Sequence, residues 1–201
     1  MQKLLIATHN KGKLAELKKF LSELPIEIVS LADVGIDEEV EEDGKTYKEN
    51  SQKKALFFAK FSNIPALADD GGIEINALNG EPGVQSKHWA ENEEAIIRKL
   101  KKIAQNLPEN NRGAIFKVVI SVALPNGKVW SVKDQVEGVI TKSSHMQRQV
   151  GYPCRSFFYI PKLGKWYHED QLTDDEMRMY NHRYKAIQKL KTIIEKEIIN
   201  D

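Results

Sequence analysis

The chain has 201 residues, 41% of them hydrophobic and 29% charged, a mix that supports a buried core and excludes a disordered or fibrous chain. Thirty basic residues oppose 29 acidic ones for a net charge of +1, which excludes a global electrostatic footprint for a nucleic-acid polymer or a membrane surface. Any anionic ligand must therefore be held by local groups. The single cysteine, Cys154, excludes an intrachain disulfide and any multi-cysteine metal site, and fits a reducing cytoplasm. The opening MQKLLIATHN has too short an apolar run for a signal peptide, and no stretch approaches the roughly 18 apolar residues of a membrane span. A soluble, cytoplasmic protein is expected, with residues 1–201 forming one domain or two intimate lobes.

Lys3–Thr8 reads as a short buried strand. Lys11–Leu24 follows with Leu14, Leu17, Phe20, Leu21 and Leu24 at helical spacing, stopped by Pro25. Ile26–Ser30 is a second strand, and Asp37–Asp43 an acidic stretch ending at Gly44. Thr46 and Glu49 have capping-box spacing, predicting a helix through Phe61 that Ser62, Asn63 and Pro65 end. Ala66–Asp69 reads as a strand running into a turn at Asp70-Gly71-Gly72, with Ile73–Ala77 extended beyond it. A loop at Asn79–Gly83 precedes a helix capped by Asn92 and running through Ile103. Ala114–Leu124 and Val129–Ile140 form a predicted hairpin around Pro125-Asn126-Gly127. Ser156–Ile160 is a further strand, Thr173 and Glu176 repeat the capping-box pattern, and Asn181–Ile199 reads as a closing amphipathic helix. Early alternation of strands and helices with a late hairpin predicts an α/β fold with a mixed sheet.

Four places can carry chemistry. At Thr8-His9-Asn10-Lys11-Gly12-Lys13 a strand gives way to a helix, whose first amides and dipole favour phosphate, with Lys11 and Lys13 adding charge. An ordinary turn with solvated lysines is the alternative, and the stretch is not a P-loop. The acids of Asp37–Asp43 either form a solvated face or send one or two carboxylates to a metal. Asp69 and Asp70 close an apolar strand, where carboxylates suit Mg²⁺, or else cap a simple Asp-Gly turn. Asn181-His182-Arg183, near Lys185, offers a planar fork for phosphate or a nucleobase edge, or a plain helix start. His9, His88, His145 and His168 show no metal-ligand spacing, and no serine or cysteine nucleophile motif is present. Anion donors, acidic ligands and a basic fork together point to phosphate chemistry with Mg²⁺.

The order and spacing of Ile6–Lys13 (IATHNKGK), Glu41–Ala55 (EEDGKTYKENSQKKA) and Leu67–Ser86 (LADDGGIEINALNGEPGVQS) resemble the inosine-triphosphate pyrophosphatase family, and the likeness runs along nearly the whole chain. That family hydrolyses non-standard purine triphosphates as a homodimer. Its subunits are elongated and two-lobed, with a central mixed sheet flanked by helices and an active-site cleft between the lobes. By this resemblance Thr8, Asn10, Lys11 and Lys13 hold phosphates, and Glu41, with Glu42 as its rival, binds Mg²⁺. Asp70 is the metal-side residue and general base, and Lys54 lies near the triphosphate. His182 and Arg183 match the pair that contacts the base.

The chain departs from the family pattern mainly in its second half. Gly71 stands where serine is usual, His88 where an arginine is, and Met177 where a lysine is. Asn181 also replaces a serine. The nucleoside-holding segment is Gly151-Tyr152-Pro153-Cys154-Arg155-Ser156, with Arg155 in place of an aspartate and Tyr152 beside it. The resemblance implies cleavage between the α and β phosphates, giving a nucleoside monophosphate and pyrophosphate. The rewritten segment leaves open a Maf-like preference for pyrimidine or modified triphosphates. Gly71 and Met177 leave open a nucleotide-binding protein with weak catalysis.

Overall fold

The computed structural model describes residues 2–200. The chain runs β1 (Lys3–Ile6), α1 (Lys11–Leu21), β2 (Glu27–Ser30), α2 (Tyr47–Ser62), β3 (Ala66–Ile75), α3 (Glu93–Asn106), β4 (Gly113–Ala123) and β5 (Val129–Ile140). It continues through β6 (Phe158–Ile160), β7 (Lys165–Trp166), α4 (Asp174–Tyr180) and α5 (His182–Ile194), with a wider π-type turn at Glu195–Ile199. The strands form one mixed sheet in the order β2-β1-β3-β4-β5-β6-β7. β1 is parallel to both β2 and β3, each pairing needing a helical crossover, whereas β5, β6 and β7 are antiparallel. The fold is α/β, with helices flanking the sheet.

The chain divides into two compact units. One comprises the residues up to Asp70, Val118–Asp134 and the chain from Arg183 onward; the other comprises Gly71–Lys117 and Gln135–His182. In the first, Ala55, Phe58 and Ala59 of α2 pack on Ala66 and Ala68 of β3, with Leu5, Ala7 and Val29 beside them. The small alanines let helix and strand approach closely. A buried hydroxyl chain links the same helix to the hairpin: Ser51 Oγ lies 2.7 Å from Ser121 Oγ, which lies 2.8 Å from Ser131 Oγ. In the second unit, Ile96, Leu100 and Ala104 on one face of α3 meet Ile73 and Ile75 of β3, and Phe157, Phe158 and Tyr167 complete that core.

Both predicted capping boxes form, at Thr46/Glu49 and Thr173/Glu176, and Asn92 caps α3. Several boundaries differ. α1 stops at Leu21, where Ser22 Oγ donates to Lys19 O at 2.9 Å. The stretch before β6 is a 3-10 turn at Arg155–Phe157 rather than strand. The largest difference is in β3, which runs unbroken from Ala66 to Ile75 with no turn at Asp70–Gly72.

Gly72 explains the misreading. A Cβ there would lie 2.2 Å from Ser86 Oγ and 2.4 Å from the Gly83 carbonyl. Ser86 Oγ in turn accepts from Ile73 N at 3.0 Å and donates to Gly83 O at 2.5 Å. The glycine thus permits close approach of the loop that holds the cis Glu81–Pro82 bond, rather than making a turn. Gly72→Ala is expected to cost about 3 kcal/mol or more through overpacking against backbone. Thermal unfolding would register this as a fall of about 6–12 °C, and an unchanged midpoint would refute the close-approach explanation.

Candidate active site

The site follows from the two-residue period of β3. Ala66 and Ala68 face α2, so Asp70, next in phase, also faces that helix, and Asn50 Nδ2 donates to Asp70 Oδ2 at 3.0 Å. Asn50 Oδ1 accepts from Gly44 N at 2.8 Å, tying the end of the acidic stretch to the same point. Asp69 takes the opposite phase. Its Oδ2 accepts from Arg183 Nε at 3.0 Å and pairs with Lys13 Nζ at 3.2 Å. Arg183 also meets Glu16, with Nη1 3.6 Å from Oε2. One turn after Asn50 on α2, Lys54 donates to the Asp69 carbonyl at 2.7 Å and pairs with Glu42 at 3.3 Å.

The β1–α1 turn supplies the other wall. Thr8 Oγ1 accepts from Asn10 N at 3.2 Å, and Asn10 Oδ1 accepts from Lys13 N at 3.0 Å, capping α1. Thr8 keeps its hydroxyl proton for a ligand. The amides of Lys11 and Gly12, first in the helix, have no intrahelical acceptor by helix geometry. Lys11 itself is exposed.

These charges set one another's protonation. Burial works to raise the Asp69 carboxyl, but the charges of Lys13, Arg183 and Lys54 outweigh it and hold Asp69 well below the ordinary carboxylate range. Burial lowers the Lys13 ammonium, with Asp69 opposing and Lys54 and Arg183 adding to the fall. Asp70 moves the other way. Burial raises it, Lys54 and Lys13 oppose, and the nearby Glu42 charge adds to the rise.

The donor set fits a hard divalent cation. Lys13, Lys54 and Arg183 carry three positive charges against four from Glu16, Glu42, Asp69 and Asp70 when all are ionised. A divalent cation reverses that sign and leaves the group attractive to phosphate. Of the two rival acids, Glu42 is the one turned inward, its side chain 12% exposed on Lys54, whereas Glu41 is exposed. Glu41, which the resemblance put first, thus lies on the outside of the stretch and its rival on the inside. Nothing in that irregular stretch carries a period that fixes which acid faces in.

The base-side residues sit in the second unit. The Arg155 guanidinium, 1% exposed, lies 3.8 Å from the centre of the Tyr152 ring and 4.5 Å from that of Tyr167. Tyr167 Oη lies 2.7 Å from His182 Nδ1, and the His182 ring stacks on Phe116. Met177 packs against the apolar core of this unit, and Gly71 lies within β3. Burial pushes the Cys154 thiol up to about 12, which suits packing and not nucleophilic attack. Arg183, expected beside His182 on a base, donates its Nε to Asp69 Oδ2 at 3.0 Å.

Asn50 and Glu16 were not singled out as site residues by their pattern. The i, i+4 spacing of Asn50 and Lys54 was the available signal, since it places both on one face of α2. No local signal marks Glu16 or the Arg183–Asp69 pair, whose members are 114 positions apart.

Paired carboxylates within β3, the start of α1 and converging lysines on an α/β sheet form a site of the kind that handles an anion. The chain belongs to the Ham1 family, which matches residues 4–193. It is 36% identical to the dITP/XTP pyrophosphatase of Desulforamulus reducens over 201 residues, covering 98% of each chain. Identity to the dITP/XTP pyrophosphatase of Thermoanaerobacter sp. is 39% over 199 residues, again covering 98% of each. The solved structure of the Staphylococcus aureus Ham1 protein matches with a TM-score of 0.79 at 33% identity, covering 98% of this chain and 100% of that one.

Proposed function

We propose that this protein is a nucleoside-triphosphate pyrophosphatase that converts non-standard purine triphosphates (ITP, dITP, XTP) to the monophosphate and pyrophosphate. The observation that carries the reading is Asp70. It is 4% exposed, raised by burial, aimed by Asn50, and set among Lys13, Lys54 and Glu42. The names of the relatives support the substrate class.

Asp70 orients a water and takes its proton as the oxygen attacks the α phosphorus. The bond from that phosphorus to the bridging oxygen breaks, and its electron pair leaves with pyrophosphate. Lys13 and Lys54 neutralise the charge that develops on the leaving group. Thr8, Asn10, Lys11 and the first amides of α1 hold the phosphate chain. Arg183 positions Asp69, which in turn positions Lys13. Glu42 and Asp70, with Glu41 on the rim, are the residues that would hold Mg²⁺, which when bound polarises phosphate oxygens and screens their charge. Gly71, Tyr152, Arg155, Met177 and His182 are assigned to the base side. The resemblance noted in the sequence suggests a homodimer with a single domain over residues 1–201, and the lone cysteine fits the cytoplasm. No helix among the described residues is long and apolar enough to cross a membrane.

The test is a panel of ITP, dITP, XTP, ATP, GTP and pyrimidine triphosphates with Mg²⁺, with pyrophosphate and monophosphate read separately. Equimolar products, with kcat/KM at least about 100-fold higher for the non-standard purines than for ATP, are expected. Preference for pyrimidines, or tight binding without turnover, would overturn the reading.

A further inference from the structure

Outside the site above, one trio of histidine, cysteine or acidic side chains among the described residues brings its donor atoms within 4.8 Å of one another: His145, His168 and Asp170. We infer that these three form a second metal site, for a divalent transition ion of the zinc class.

The donors come from two segments, the loop after β5 and the stretch after β7. Asp170 Oδ1 lies 2.7 Å from His168 Nδ1 and 3.1 Å from His145 Nε2, and the two imidazoles stack with centroids 4.7 Å apart. His168 is 2% exposed, and its Nε2 is buried with no hydrogen-bond partner among the described residues. Asp170 contacts His168 Nδ1 through its carboxylate and, at 3.4 Å, its amide, while the buried Nε2 is left unsatisfied, which is costly for a core histidine. Two imidazoles and one carboxylate select zinc-like ions over magnesium. Bonds of ~2.0 Å to a tetrahedral ion set donors ~3.3 Å apart, so Asp170 Oδ1 would draw back about 0.6 Å from His168 Nδ1 and about 0.2 Å from His145 Nε2. His145 also lines a cavity of ≈ 370 Å³ shared with Ser144, Met146 and Phe157, which gives an ion a way in.

The cost of loading is specific. His145 Nδ1 accepts from Gln147 N at 3.1 Å, so the His145 proton sits on Nε2 facing Asp170. Metal on Nε2 moves that proton to Nδ1 and breaks the Gln147 contact. The loaded site clips the loop leading to Tyr152 and Arg155 onto the segment that follows Tyr167. The histidines are too far apart in sequence for a local ligand motif, so reading for motif spacing passed over them.

The experiment titrates Zn²⁺ into the metal-stripped full chain in the presence of excess Mg²⁺, followed by calorimetry and by ¹⁵N amide spectra. One Zn²⁺ per chain is expected, with the Gln147 amide shifted and the melting temperature raised. His145→Ala and Asp170→Asn should each weaken zinc binding by at least about 10-fold while remaining folded, and Asp70→Asn should leave it unchanged. No binding by the wild type, or equal binding by the His145 and Asp170 variants, would leave only a hydrogen-bonded carboxylate bridge and overturn the site.

Discussion

Replacing Asp70 by asparagine is expected to lower kcat by roughly 10²–10⁴-fold and to leave the melting temperature unchanged or higher. Asparagine keeps the shape and removes only the charge. That charge is unfavourable where it stands: burial, with the neighbouring Glu42, raises the Asp70 carboxyl above its ordinary value of 3.8. For an acid raised on folding, ionisation above the folded pKa favours the unfolded chain. Asp70 therefore withdraws stability as pH rises from about 3.8 through its folded value, and Asp70→Asn should lose that decline. Calorimetric melting of both proteins from pH 4 to 8, beside steady-state pyrophosphate release, reads both halves. Undiminished turnover would remove Asp70 from its role, and a large fall in stability would make it a structural residue instead.

Asp69→Asn is expected to do the reverse, destabilising the fold by about 3–5 kcal/mol, or about 6–20 °C in melting temperature. The side chain is fully buried and neutralises Lys13 at 3.2 Å and Arg183 at 3.0 Å. Removing it takes a buried counter-charge from both cations, with Arg183 keeping Glu16. Here the folded carboxyl is depressed, so its contribution is present above the ordinary value of 3.8 and fades as pH falls toward the folded one. The gap between wild type and variant should thus be full at pH 7 and narrow below about pH 4. Because Asp69 acts through Lys13, residual activity should show a raised KM more than a changed pH profile. A variant as stable as the wild type at pH 7 would contradict the assigned pairing.

The two adjacent aspartates therefore do opposite work, and their sequence signal was only half legible. The apolar run at Ala66–Asp69 was readable as a strand, as were the capping boxes and the β4–β5 hairpin, because each depends on residues close in sequence. That β3 continues through Gly72 was not readable, since the reason is Ser86 and Gly83 pressed against it. Which aspartate faces which helix becomes clear once Ala66 and Ala68 are known to face α2. Arg183 was legible as a functional residue, but not as the partner of Asp69 at the other end of the chain. Arg155 reads in sequence as a change of charge in a nucleoside-holding segment. Its burial between Tyr152 and Tyr167 belongs to packing that only the assembled unit displays.

The direction of attack is tested most directly by hydrolysing ITP in ¹⁸O-labelled water with Mg²⁺ and locating the label by mass spectrometry. Water delivered by Asp70 to the α phosphorus places the label in inosine monophosphate and none in the pyrophosphate released with it. Label in pyrophosphate, or release of labelled orthophosphate with inosine diphosphate, would contradict it.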